Sequence, residues 1–313
     1  MKKANVVFGF VLWSSLAFGQ EMLKYYGEEN KLWGFKDVSG NTIVEPKYEF
    51  VEDGYEGIAA FRMNQKWGYV TADGKEVIPP EFDRAGTFGD GLALVGIAAN
   101  DWFINTKGQK VFELPENMEG NRFSEGLAAV MEFETGEWGF IDKTGKLVIP
   151  YTFAGIYQGS ERNQDQHVFG FSEGLCAVYR YVKAGFIDKA GTVVIPFKFA
   201  EARAFSDGLA LAAIEDDPDP DNLDYDPNYP DLLYGYLNKT GEWAVEPKFY
   251  DAGSFSEGMA FFTTDQLYGY IDTNGKEVIP QQFEYAGPFR GGKAKVRLNG
   301  NIQYINTKGE ILQ

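Results

Sequence analysis

Residues 137–150 read EWGFIDKTGKLVIP: Trp138 to Ile141 and Leu147 to Ile149 are apolar and rich in aromatic or β-branched residues. Between them stands Asp142-Lys143-Thr144-Gly145, the make-up of a tight turn with glycine where the backbone goes left-handed. The spacing predicts a β-hairpin. Nearly the same words stand at 66–79, KWGYVTADGKEVIP, and at 267–280, LYGYIDTNGKEVIP. A shorter apolar word precedes each hairpin: YEGIAAF, GDGLALV, SEGLAAV, SEGLCAV, SDGLALA, SEGMAFF and RGGKAKV. It predicts a third strand. Near the start of the array, MLKYY supplies the matching strand for the first hairpin. Stretches such as EFDRAGTF and KFYDAGSF have the length of a short fourth strand. No stretch of the array carries the spacing of an amphipathic helix.

The repetition has a period. An aromatic–glycine pair recurs at Trp33-Gly34, Trp67-Gly68, Trp138-Gly139, Tyr234-Gly235 and Tyr268-Gly269, with a degenerate copy at Ala184-Gly185. Two further copies, Trp102-Phe103 and Ile302-Gln303, have lost the glycine. Undisturbed copies lie 34 residues apart, Gly34 to Gly68 and Gly235 to Gly269. A fixed period of this size marks a propeller, solenoid or array. All eight copies keep the turn glycine: Gly40, Gly74, Gly108, Gly145, Gly191, Gly241, Gly275 and Gly309. In most of them Asp or Asn stands three residues earlier, which predicts a type I turn whose Asx side chain bonds local amides. Two positions after the glycine of the leading strand the residue is always small: Ala59, Ala93, Ala128, Cys176, Ala210, Ala260 and Ala294. Strands converge there.

Residues 138–150 and 67–79 match almost in full the pattern W-G-[FY]-[IV]-D-x-x-G-K-x-[VI]-I-P, and the chain resembles the tandem WG repeats of bacterial proteins from about residue 23 to 313. The resemblance implies a β-rich interaction or scaffold region, with no catalytic residues to carry over. The signature pair is damaged in the third, fifth and eighth units. The expected fold is therefore all-β, each repeat of about 35 residues a small antiparallel meander. The expected arrangement is a β-propeller-like ring of about seven or eight blades, because blades converging on an axis admit only small side chains. An open β-solenoid is the alternative.

Composition changes this picture in three ways. With 46 acidic and 29 basic residues the net charge is −17, so a phosphate backbone is repelled and nucleic acid is a poor partner. Lys2 and Lys3 precede an apolar stretch, VVFGFVLWSSLAF, and then small residues around Ala17 and Gly19. That is the layout of an export signal over 1–19, and it predicts a periplasmic or secreted protein beginning at Gln20, with no transmembrane segment after it. The lone cysteine, Cys176, has no intramolecular partner and takes a core alanine's place.

Two units carry insertions, 157–168 (YQGSERNQDQHV) and 215–232 (EDDPDPDNLDYDPNYPDL). The second is the feature with most chemical promise. Asp217, Asp219, Asp221 and Asp224 are spaced like the start of a calcium loop, but the loop's glycine and closing glutamate are missing. With Tyr225 and Tyr229 they suit a basic protein surface, aromatics serving as anchors. Ser124, Ser172, Ser206 and Ser256 recur in F-S-[ED]-G, and His167 is the one histidine; a nucleophile needed once is not written four times, so these serines read as turn residues. Nothing singles out a carboxylate pair for glycoside hydrolysis. The repeat aromatics read as core stacking, with sugar-binding clefts between units as the alternative. The resulting expectation is a monomeric, non-catalytic binding or scaffold module of the cell envelope or exterior, without cofactor or metal, presenting loops to a protein partner. A glycan-binding, lectin-like protein is the alternative and a hydrolase a distant third.

Overall fold

A computed structural model describes residues 22–37, 40–154, 170–216 and 231–312. The expected export signal, the first insertion and residues 217–230 of the second lie outside the described residues. Every regular element described is a strand, and the strands gather into seven antiparallel sheets in chain order. No helix in the described residues is long and apolar enough to cross a membrane.

Unit 2 shows the pattern. Phe50–Val51 pairs with Ile58–Met63, that strand with Lys66–Thr71, and that one with Glu76–Phe82. The pairing explains the glycine of the signature. Trp67 faces Phe82 and Tyr69 faces Ile78, so Pro79, Pro80 and Glu81 bulge out of the third strand opposite Gly68 alone. The bulge presses the Ile78 carbonyl onto the glycine, and a Cβ there would lie 2.5 Å from that oxygen. Gly139 and Gly235 meet the carbonyls of Ile149 and Val245 in the same way, at 2.7 and 2.6 Å. Unit 3 pairs Trp102 and Phe103 with Glu113 and Phe112 in unbroken register, and unit 8 pairs its third segment only by the bridge Ile305–Ile311. Neither has a bulge at that point, so neither needs the glycine. The prolines of the V-I-P words also blunt an edge strand that would otherwise invite pairing.

The third strand does not turn back. One residue after Phe82 the chain enters the next sheet at Arg84, and the intervening Asp83 already donates its N–H to Gly96 O at 2.8 Å. Glu49, Ala200, Tyr250 and Glu284 occupy the same corner. In these five units the third strand thus continues as the short leading strand of the following sheet, the fourth strand expected from the sequence. Units 4 and 5 are further joined by the pair Ala154–Tyr179 into one seven-stranded sheet.

The core lies between neighbouring units. Six clusters tie unit 1 to 2 and so on through 7 to 8. The repeated small residues Ala59, Ala93, Ala128, Cys176, Ala210, Ala260 and Ala294 are all buried. Among the described residues no strand pair or core cluster joins unit 8 to unit 1. The eight-unit all-β array expected from the sequence is present, and its sheets do not close by strand pairing.

Candidate functional site

Each unit has two ends of different chemistry. At one end lie the Asx turns. Gly145 N donates to Asp142 O at 2.9 Å, Gly145 has φ +83°, and Asp142 Oδ1 accepts from the amides of Thr144 and Lys146. Asn105, Asp188, Asn238, Asp272 and Asn306 do the same. The turn glycine also packs against the unit before it: a Cβ on Gly241 would lie 2.8 Å from Ile195.

The F-S-[ED]-G words lie at this same end and bind the units together. Ser124, Ser172 and Ser256 each donate their hydroxyl to a phenylalanine carbonyl of the next unit, Phe171, Phe205 and Phe289, at 2.6 to 2.7 Å. The acidic residue beside them has positive φ and accepts from the glycine amides of the following unit. Glu56 receives Asp90 N and Gly91 N, Asp90 receives Gly126 N, and Glu125 receives Gly174 N. Glu173 receives Gly208 N, Asp207 receives Gly258 N, and Glu257 receives Gly291 N and Gly292 N. Lys189 and Lys239 pair with Glu125 and Glu173 of the unit before. Burial alone would raise the Glu173 carboxyl, but the Gly208 amide and the Lys239 ammonium outweigh it and hold it below the usual range. This end is built for cohesion between units.

The opposite end carries the hairpin tips and both flanks of the second insertion. Ala154, the last described residue before the first insertion, pairs with Tyr179 two residues from the tip Tyr181-Val182, whereas Phe171 on the far side of that insertion lies at the Asx-turn end, where it accepts from Ser124. The second leaves from the unit 6 hairpin, whose last pair is Glu215–Leu232, with Asp216 N bonded to Asp231 O at 2.8 Å. Lys183, on the other side of the tip, forms an ion pair with Glu215 across the two units. The tip of unit 5 therefore stands between Ala154 and the base of the second insertion. Tyr181 is 85% exposed, Val182 70%, and Phe133 on the neighbouring unit 4 tip 55%.

Asp217, Asp219, Asp221, Asp224, Tyr225 and Tyr229 lie outside the described residues; their flanks, Asp216 and Asp231, are at the base just described. His167 lies outside them too. The repeat aromatics are packed. Trp138 is buried, and Trp33 stands 5.1 Å from Tyr26 and 6.0 Å from Phe50, which in turn meets Trp67 at 5.9 Å. Tyr234 and Tyr268 donate to Glu201 and Asp251. Cys176 is buried, and burial pushes its thiol well above the ordinary value. Among the described residues no three His, Cys, Asp or Glu side chains gather as a metal site. Sequence reasoning passed over Tyr181, Val182 and Phe133. The signal was present: tyrosine and valine stand in RYVK where comparable tips carry Asn64-Gln65 and Asn299-Gly300.

A family described as WG containing repeat matches residues 33–67, 67–97, 138–158, 185–216, 234–268 and 268–301. No curated protein matches the chain. Among solved structures, it resembles a eukaryotic initiation factor at 12% identity, with a TM-score of 0.51 over 95% of this chain and 96% of that one. Hsv2 of Kluyveromyces lactis, 10% identical, gives 0.39 over 70% and 72% of the two chains. The WD40 domain of Pan2 from Neurospora crassa, 11% identical, gives 0.39 over 91% and 88%. At such identity the likeness to the initiation factor is one of fold alone.

Proposed function

This chain belongs to the WG-containing-repeat family, and we propose that it is a non-catalytic binding or scaffold module of the cell envelope or exterior, holding a protein partner on its tip face. One observation supports this above the rest: the second insertion springs from the unit 6 hairpin, whose base is tied by the Lys183–Glu215 ion pair to the exposed tip of unit 5, and Ala154, the leading flank of the first insertion, pairs beside that same tip. Loops set side by side on a rigid scaffold are a common way to build a binding surface. Hydrogen bonding at the other end is spent on cohesion between units, which leaves the tip face free to vary. The acidic second insertion gives that face a charge suited to a basic partner and adds to its encounter rate.

The test is a deletion. Residues 216–230 are replaced by a short Gly-Asn turn, and partners of the mature chain are captured by proximity labelling in the native envelope beside a glycan array. The expected outcome is a folded variant that loses the protein partner bound by the intact chain, more sharply at low salt, where charge is less screened. Equal binding by the deletion variant overturns the tip-face assignment. Glycan binding with no protein partner overturns the protein-binding reading itself. Intact-mass measurement of envelope material tests location: loss of residues 1–19 is expected, and Met1 retained on a cytosolic protein refutes export.

A further inference from the structure

We infer that the Tyr181-Val182 tip is the anchor of this binding face, seated in an apolar pocket of a protein partner whose pocket rim carries Lys or Arg. The inference rests on the reading of the tip face as a binding surface, and it names residues that the acidic insertion does not include.

Four hairpins close with two-residue tips: Asn64-Gln65, Ala98-Ala99, Tyr181-Val182 and Asn299-Gly300. The first residue of each has positive φ, between 51° and 56°. Asparagine and glycine adopt that conformation readily, whereas a bulky side chain there is strained. Unit 5 alone places a tyrosine at the strained position and a β-branched residue beside it, and leaves them 85% and 70% exposed. Neither choice helps the hairpin close, and neither side chain gains burial. Residues that break a local rule without a compensating gain in the folded chain mark functional positions. An exposed aromatic on a rigid strand pair is the kind of group that dominates interface energy.

The charges around the tip fix the partner's chemistry. Arg180 lies over the Phe197 ring at 4.8 Å, and Lys183 is held by Glu215. Both cations flanking the tip are thus engaged within the fold. Glu215, Asp216 and Asp231 at the base of the second insertion carry the same sign as the whole chain, whose net charge is −17. A cationic rim around an apolar pocket complements this arrangement.

The experiment uses the full mature chain and a displayed library of random twelve-residue peptides as the probe. Two variants are compared: Tyr181→Gly with Val182→Asn, which installs the sequence preferred by a turn with positive φ at its first central residue, and the 216–230 deletion. The turn variant is expected to melt no lower than the parent, so loss of folding does not confound it. Selected peptides are expected to pair apolar residues with Lys or Arg and to bind the turn variant at least tenfold more weakly. Basic peptides that keep their affinity for the turn variant yet lose it on the loop deletion overturn the anchor while leaving the binding face in place. Peptides indifferent to both variants, or a library that enriches nothing, overturn both. A lower melting temperature of the turn variant also overturns the inference, because the tip would then be serving the fold.

Discussion

At the scale of single residues, the repeat signature records a steric requirement. The tryptophan of the pair is exchanged for Tyr234, Tyr268 and even Ala184, while the glycine persists wherever the third strand bulges directly opposite it. Gly68→Ala places a Cβ 2.5 Å from Ile78 O and 2.8 Å from Pro80 N, backbone atoms that cannot swing aside. We expect a loss of about 1–3 kcal/mol in chemical denaturation. Trp67→Phe at the adjacent position is expected to cost less. Tyrosines supply a second prediction. Burial raises the Tyr179 hydroxyl to about 12, against the backbone bond from Ala202 N, which lowers it. Burial likewise raises Tyr69 and Tyr236, whose hydroxyls donate to Gly86 O and Gly253 O. The neutral form is the one the fold favours, so this stability is whole below pH 10.0, the ordinary value, and is lost as pH rises towards about 12. The near-ultraviolet phenolate absorbance due to Tyr69, Tyr179 and Tyr236, read as the difference from their phenylalanine variants, is expected to rise together with loss of strand signal, and not before it.

At the scale of elements, the sequence words F-S-[ED]-G turn out to be clasps between units. Ser256→Ala leaves Phe289 O without its partner and is expected to cost about 1 kcal/mol. Glu257→Ala removes the acceptor of two amides in unit 8, and the pair of changes is expected to loosen units 7 and 8 together. Amide exchange at Gly291 and Gly292 would report it, while the Asp142 turn stays protected. Acid acts on the same clasps. A carboxyl held below its ordinary value contributes stability that is present above about 4.5 and fades as pH falls through its folded value. Glu173→Gln is therefore expected to flatten the acid limb of the stability profile. The serines and acids were legible as turn residues because their pattern is local. Their partners were not, since each lies in the following unit and a period does not say which faces meet.

At the scale of the whole molecule, each unit shares its core only with its neighbours. Stability in such an array is close to a sum of unit and interface terms. The two end units have one packed neighbour each, and the turn glycine of unit 1, Gly40, meets no atom within 4 Å where its counterparts meet the preceding unit. Native-state hydrogen exchange is expected to show units 1 and 8 opening at lower free energy than units 4 to 6, which share one continuous cluster. Uniform protection from end to end would contradict this and would indicate that the first and last units support each other.

The sequence by itself determined the strands, the Asx turns, the number of units and the burial of the small residues from Ala59 to Ala294. These follow from local conformational preference and from a period of two along each strand, both written in consecutive residues. Only the tertiary structure decided that the third strand crosses into the next sheet, that Glu56, Asp90, Glu125 and their counterparts reach forward by one unit, and that Ala154 and the base of the second insertion flank the tip at Tyr181. Those facts depend on how one sheet is oriented against the next. That orientation is set by side chains packing across residues distant in the chain, which no local pattern encodes.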